Sequence, residues 1–224
     1  MIKQVAFIGL GRFGSGLAET LSNMGYDVLA IDKSLDRVQE IANKVTQSIQ
    51  GDATDETFLG RLDLSGLDAA IVAIGTDLQS SVLCTLMLKN LHVPFLIARA
   101  ENNAHGSILS KIGADQVVYP ERQMGGRLAH VLTVKDALDY IPILQRYGIA
   151  KIMAPAPFTG KTLSQAGFGR KSNWGIMVLL IQRQDEIIVT PAETEVIQDG
   201  DILITAGHDD KLEGMLNEAK KISS

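Results

Sequence analysis

A single cysteine, Cys84, stands among the 224 residues, which excludes an intrachain disulfide and fits a reducing compartment. It lies in the apolar stretch Ser81 to Leu88 with no reactive-thiol signature around it, so it reads as a small core residue. Cationic charge is short as well: 21 Lys and Arg against 26 Asp and Glu leave a net charge of -5. Nucleic-acid binding runs on the opposite balance, so no nucleic-acid partner is expected. No apolar run approaches the ~20 residues that span a bilayer. The start, Met1-Ile2-Lys3, leads straight into Val5-Ala6-Phe7-Ile8, too short an apolar run for a signal segment. The expectation is a cytoplasmic chain that reaches a membrane only through a partner. Low-complexity segments and short-period repeats are also missing.

What is present is a strong alternation. Over the first 120 residues a short apolar run, a turn and a helically spaced segment recur. The runs are Val5–Ile8, Val28–Ile31, Val45–Ile49, Ala69–Ala73, Phe95–Ala98 and Gln116–Val118. Most lack polar alternation, as strands buried on both faces of a parallel sheet do. Between them, Leu17, Leu21 and Met24 share a helical face closed by Gly25. Ser34 suits the N-cap of a helix with apolar Leu35, Val38, Ile41 and Ala42. Val82 and Leu86 mark another helix, and Ile108, Leu109 and Ile112 a further one ending at Gly113. This order predicts an α/β fold, a doubly wound Rossmann-type parallel sheet built from right-handed βαβ units.

From Pro120 the texture changes. Pro120-Glu121 suits a helix start, with proline in the first turn and an acid at the positive dipole end. Met124, Leu128, Val131 and Leu132 supply an apolar face, so residues 121–138 read as a long connecting helix. Beyond it, Gly148–Met153, Ile176–Ile181, Glu186–Val189 and Asp201–Thr205 read as strands, with helical turns at Leu163–Ala166 and Lys211–Ala219. The expected organisation is therefore a Rossmann domain over 1–120, the connecting helix over 121–138, and a smaller α+β domain over 139–224.

The motif Gly9-Leu10-Gly11-Arg12-Phe13-Gly14 follows the first strand and opens the first helix. In that context the first glycine makes the tight turn and the second lets backbone approach a pyrophosphate. The third allows helix and sheet to pack, and phosphate charge meets the helix N-terminus. Asp32, 21 residues past Gly11 at the end of the second strand, is placed to accept both ribose hydroxyls of an adenosine and to repel a 2′-phosphate. Lys33 beside it works against that repulsion. Asp52, Ala53 and Thr54, after Gly51 at the end of the third strand, are placed to line an adenine pocket. Arg12 reads either as an outward, solvated arginine or as a guanidinium forked onto phosphate oxygens. Facing the ligand, it favours the terminal charge of ATP over the internal diphosphate of NAD(H).

Chemistry beyond binding is hard to find. His92, His105, His130 and His208 have no Ser, Cys or Asp at a recognisable catalytic or metal-ligand spacing. A dehydrogenase needs a proton donor or acceptor near the nicotinamide. A nucleotide site without attached chemistry suggests a sensor and not an enzyme, with a small NAD-dependent oxidoreductase as the alternative.

The residues resemble the RCK (regulator of potassium conductance) family, the regulatory subunits of Trk/Ktr-type potassium-uptake systems. The resemblance covers nearly the whole chain. It is carried by Gly9 to Gly14, Asp32, Ala73-Ile74-Gly75, Lys111-Ile112-Gly113-Ala114-Asp115, and Pro120-Glu121-Arg122-Gln123-Met124-Gly125. The segments Gly160 to Leu163, Val189 to Pro191 and Asp199 to Leu203 look like the family's RCK C-terminal domain. The resemblance implies a homo-oligomeric ring, dimers assembling to an octamer, beneath a membrane-embedded potassium-translocating subunit at the inner face of the membrane. It implies ATP/ADP or NAD(H) in the N-terminal pocket, with Arg12 at the terminal phosphate and Arg99 near the phosphates. Glu121 matches an acid that helps hold a cation, Mg2+ or another, between paired nucleotide sites. The connecting helix resembles the family's crossover helix. Some members bind cyclic di-AMP between two C-terminal domains; Arg170, Asn173 and Pro191 lie in the corresponding stretch, while Phe168-Gly169 and Trp174 depart from the pattern.

Overall fold

The computed structural model of the chain describes residues 4–62, 64, 66–133, 137–169 and 174–223. They form two compact units, one through Pro120 and one from Glu121.

The first unit is a six-stranded sheet whose order is β3-β2-β1-β4-β5-β6. The strands are β1 (Gln4–Ile8), β2 (Asp27–Asp32), β3 (Gln47–Gln50), β4 (Ala69–Val72), β5 (Leu96–Arg99) and β6 (Gln116–Val118). Each neighbouring pair is parallel. The order reverses between β1 and β4, where Ile8 pairs with Ile31 on one side and Val72 on the other. Alternate β1 residues serve opposite faces. Ala6 and Ile8 join the core with Leu88 and Leu96, while Val5 and Phe7 join the one with Ala18 and Ile71. A strand covered on both sides has no polar face to show, which is why these runs read as continuous apolar sequence.

Five helices cover the sheet: α1 (Arg12–Asn23), α2 (Leu35–Ile41), α3 (Glu56–Arg61), α4 (Leu78–Asn90) and α5 (Asn103–Lys111). Ser34 caps α2 as expected, accepting the Arg37 N–H. Gly25 and Gly113, just past α1 and α5, take positive φ angles of 87° and 107°. Leu17 and Leu21 pack inward, but Met24 and Leu35 are exposed, at helix ends that turn away from the sheet. Cys84 is buried, and that burial pushes its thiol up to about 12, so it stays protonated and inert.

The second unit starts with α6 (Pro120–Thr133), followed by β7 (Ala137–Leu144), β8 (Tyr147–Met153), β9 (Met177–Arg183), β10 (Glu186–Val189), β11 (Ile202–His208) and α7 (Asp209–Ser223). Its antiparallel sheet has the order β10-β9-β11-β8-β7. Tyr140, Ile152, Ile181, Leu203, Leu212 and Met215 form the centre of its core.

One expectation is corrected here. The helix read over 121–138 ends at Thr133, and Ala137 and Leu138 already belong to β7. That strand sits at a sheet edge, where Pro142 is tolerated and Leu138, Ile141, Ile143 and Leu144 stay exposed, so it carries no clean period-two pattern. The helical material expected at Leu163–Ala166 amounts to a single turn, with the Ala166 N–H on the Thr162 carbonyl. The N–H groups of Leu163 and Ser164 go to the carbonyls of Glu195 and Glu193. Gly160 and Gly167, with φ of 80° and 84°, bracket the segment, and the short 3-10 turn lies earlier, at Ala156–Phe158.

Candidate nucleotide site

The site is built at the carboxyl ends of the parallel strands, where the order reverses between β1 and β4, the position at which open α/β sheets form a ligand crevice. After Ile8 the backbone turns through Gly9 at φ 96°, a conformation that favours glycine. The Gly9 N–H donates to the Ile31 carbonyl at 2.8 Å, and the Ala73 N–H donates to Ile8 at 2.8 Å. The loop is thereby held to both neighbouring strands. A methyl on Gly14 would stand 2.0 Å from the Gly9 carbonyl oxygen, so helix and turn touch through backbone. A methyl on Gly11 would meet nothing within 4 Å, so the middle glycine faces open space.

Helix α1 starts there with Gly11 as N-cap, no side-chain cap bond and no acid in its first turn. The leading N–H groups and the positive end of the helix dipole are therefore left for an anion. Arg12, the first helical residue, is exposed. Phe13 is partly buried and packs into the core beside β1, so its part is to seat the helix.

Asp32 is 8% exposed. Its carboxylate accepts the Leu10 N–H at 2.6 Å and the Ser34 N–H at 2.8 Å, with Arg37 Nη1 at 3.4 Å. The same side chain thus fixes the glycine loop and the start of α2. Each of its oxygens has two lone pairs, so capacity for ribose hydroxyls remains. Asp52 accepts both the N–H and the hydroxyl of Thr54, at 2.8 and 2.6 Å, and pairs with Lys33 Nζ at 3.2 Å. Partial burial raises its pKa, but the Thr54 bonds and the Lys33 charge outweigh that and hold it below the ordinary carboxylate range. Lys33 is therefore directed at Asp52 across the rim. Ala53 is buried below it, and Phe58 lies against Gly51, where a methyl would stand 2.0 Å from the ring.

On the other side of the crevice, Ala73 is buried and Ile74 packs toward Gly9. The Arg99 guanidinium lies over Gly75: a methyl there would stand 2.2 Å from Nη1. Only glycine leaves room for that approach. Asp77 caps α4 immediately afterwards, accepting the Ser80 N–H and hydroxyl at 3.0 and 2.6 Å. Gly9, Gly11, Gly14, Asp32, Asp52, Ala53, Thr54, Ala73, Ile74, Gly75 and Arg99 are all brought to one end of one sheet. Glu121 is exposed in the first turn of α6, in the second unit. Arg37 and the Leu10 N–H were invisible to motif reading; the one is an ordinary helix charge and the other is backbone.

The donors fit a nucleotide: an uncapped helix start for phosphate, a carboxylate for ribose and an arginine seated on a glycine. Comparison with known proteins agrees with that arrangement. A TrkA-N domain model matches residues 5–120 and a TrkA-C domain model matches residues 149–220. The chain belongs to this family. Ktr system potassium uptake protein C of Bacillus subtilis (strain 168) is 42% identical over 92% of this chain and 93% of its own. Ktr system potassium uptake protein A of Vibrio alginolyticus is 36% identical, over 96% of each chain. Among solved structures, the GsuK RCK domain superposes with a TM-score of 0.63 at 20% identity, covering 98% of this chain and 48% of that one. That last likeness is one of fold.

In the TrkA-C domain a cavity of about 130 Å³ is lined by Leu163, Phe168, Gly169, Pro191 and Glu193, among others. Arg170 and Asn173, singled out for cyclic di-AMP, lie outside the described residues. The Trp174 indole packs on Gly167. Three histidines do have partners that spacing did not reveal. His105 Nε2 lies 3.2 Å from Ser81 Oγ, His130 Nδ1 lies 3.6 Å from Asp209, and His208 Nδ1 lies 3.7 Å from Asp210. The Ser81–His105 pair is wired the wrong way for a nucleophile, because Nδ1 accepts the Glu101 N–H and so leaves Nε2 as donor to the serine.

Proposed function

We propose that this chain is a non-catalytic regulatory subunit of a potassium-uptake system, gating a membrane-embedded translocating subunit according to the nucleotide it binds. The observation that carries this reading is the cradle formed by the uncapped start of α1, the open Gly11 and the buried Asp32 carboxylate. The Ktr potassium uptake proteins that match it over more than nine-tenths of both chains supply the transport context. Among the described residues no helix is long and apolar enough to cross a membrane, so the translocating path belongs to the partner. The chain works at the inner face of that membrane, as a homo-oligomeric ring of dimers assembling to an octamer.

ATP/ADP or NAD(H) fills the cradle; the GsuK channel, similar in fold, has been solved bound to NAD. Asp32 takes the ribose, the first turn of α1 takes the diphosphate, and Arg12 and Arg99 answer further phosphate charge. Glu121 holds Mg2+ or another cation at paired sites. A ligand shifts the ring between shapes only by the difference of its affinities for them, so the distinction between ATP and ADP is the working quantity.

Calorimetric titration of the full chain with ATP, ADP, NADH and NADPH, with and without Mg2+, tests this. A clear difference between ATP and ADP supports the switch, and equal affinities sink it. Arg12→Ala is expected to erase that difference while adenosine affinity survives. Asp32→Ala is expected to weaken every adenine ligand by about 10-fold or more, since it also strips the Leu10 and Ser34 N–H groups of their acceptor. Steady turnover of NAD+ with a small alcohol or hydroxy acid would instead favour an oxidoreductase.

A further inference from the structure

His105 is 1% exposed and Ser81 is 0% exposed, yet neither belongs to the cradle just described. His105 enters at the third position of α5, its N–H accepted by the capping Asn102 side chain at 3.0 Å. Its ring turns inward and works at both ends. Nδ1 accepts the Glu101 N–H at 3.3 Å, and Nε2 lies 3.2 Å from Ser81 Oγ. An imidazole that accepts at Nδ1 carries its proton on Nε2 and donates from there. Burial holds the ring neutral, against the opposing pull of the Glu101 charge.

The bridge joins two particular loops. Glu101 is two residues beyond Arg99 on the segment leaving β5. Ser81 sits in the first turn of α4, its N–H on the carbonyl of Asp77, and that turn is reached from Gly75 through Thr76. Arg99 and Gly75 are the pair in close contact at the mouth of the crevice. The buried Ser81–His105 link thus ties the segment that follows Arg99 to the helix that follows Gly75. We propose that Ser81 and His105 are positioning residues for Arg99. They set the height of its guanidinium over Gly75 and thereby the grip on nucleotide phosphate. This rests on the nucleotide reading of the same crevice.

The test uses the full-length chain and two probes, ADP and adenosine, whose affinity ratio isolates the phosphate contribution. Ser81→Ala is expected to reduce the preference for ADP over adenosine by about 10-fold, the scale of one charge-assisted hydrogen bond. Ser81→Thr, which keeps the hydroxyl, should retain the preference. Arg99→Gln should lose as much as Ser81→Ala, and the double variant no more than either, because both act through one contact. His105→Gln gives a second route, keeping a donor toward Ser81 while removing the acceptor for Glu101, and should lower the preference as well. A lowered melting temperature with the ADP preference intact overturns the proposal and leaves the pair as plain core packing, as do additive losses in the double variant.

Two ligand-free readouts separate this from a failure of the nucleotide reading. In the wild-type chain the His105 ring nitrogens, read by ¹⁵N chemical shift, should show the Nε2-protonated tautomer; a proton on Nδ1 overturns the bridge. The Arg99 Nε–H should exchange faster with solvent in Ser81→Ala than in wild type, and unchanged exchange overturns the positioning role. If wild type binds neither ATP, ADP nor NADH, the nucleotide reading falls, and these two signals still decide whether Ser81 and His105 hold Arg99.

Discussion

Gly14→Ala is expected to abolish measurable nucleotide binding, whereas Gly16→Ala, two residues along the same helix, leaves binding intact and stabilises the chain. The contrast follows from what each new methyl meets. At Gly14 it stands 2.0 Å from the backbone oxygen of Gly9 and 3.0 Å from Ala73 Cβ. Neither neighbour can swing aside, because Gly9 is tied to Ile31 and Ala73 to Ile8 by backbone hydrogen bonds of 2.8 Å. Helix α1 must move off the sheet, and its leading N–H groups leave the place where phosphate charge belongs. Overpacking of this kind costs about 1–3 kcal/mol, and binding loses at least ~100-fold because the anion site depends on position to within about 1 Å. At Gly16 the methyl meets nothing within 4 Å, so only the gain in helix propensity remains, about 0.5–1 kcal/mol. Urea unfolding and titration with ADP on both variants decide the matter. Equal behaviour of the two would show that the third glycine of the motif is not where helix and turn meet.

That contact was legible in the sequence because it is local: a continuous apolar strand, a turn that needs glycine and a helix all fall within 20 residues. Asp32 was legible for a related reason, since strand and helix lengths in a βαβ unit leave little choice of where the second strand ends. The partners of these groups were not. Arg37 on Asp32 is a side-chain reach across one strand-to-helix turn that no motif specifies, while Lys33 on Asp52 and His105 on Ser81 depend on how separate segments meet, and no spacing rule encodes the separation of 24 between Ser81 and His105. The second unit was harder for another reason. In β7, Leu138, Ile141, Ile143 and Leu144 stay exposed although they are apolar, so burial and hydropathy part company there. The α6 residues Met124, Leu128 and Leu132 are exposed too, and their helical spacing ran on into the strand. Apolar faces that the single chain leaves open carry the right periodicity for an element but not its boundary.

Arg183→Met is expected to be the most destabilising single change in the second unit, because it strands a buried charge. Asp201 is fully buried, and Arg183 meets it with two bonds of 2.9 Å, from Nε and Nη2. The guanidinium also reaches Glu195 at 3.1 Å and the Val196 carbonyl at 2.9 Å, so one side chain pins β9 to the segment leading into β11. Burial alone would raise the Asp201 pKa; the Arg183 fork and the Gln198 N–H outweigh it and hold the carboxyl below its ordinary range. Removing the arginine leaves the desolvation uncompensated, a loss of about 3–5 kcal/mol by urea unfolding of the full chain. Adding Asp201→Asn to Arg183→Met should recover most of it, since the amide oxygen still accepts from Gln198 and the charge that remains without its partner, on Glu195, is partly exposed to water. The sign with pH is definite. A carboxyl whose folded-state pKa is depressed gives its full stability above its unfolded pKa, near 3.9, and loses it as pH falls through the folded pKa. The advantage of wild type over the double variant should therefore hold at neutral pH and shrink below about pH 4. A constant gap across that range would mean that the fork contributes through packing of the Arg183 stem instead of through charge.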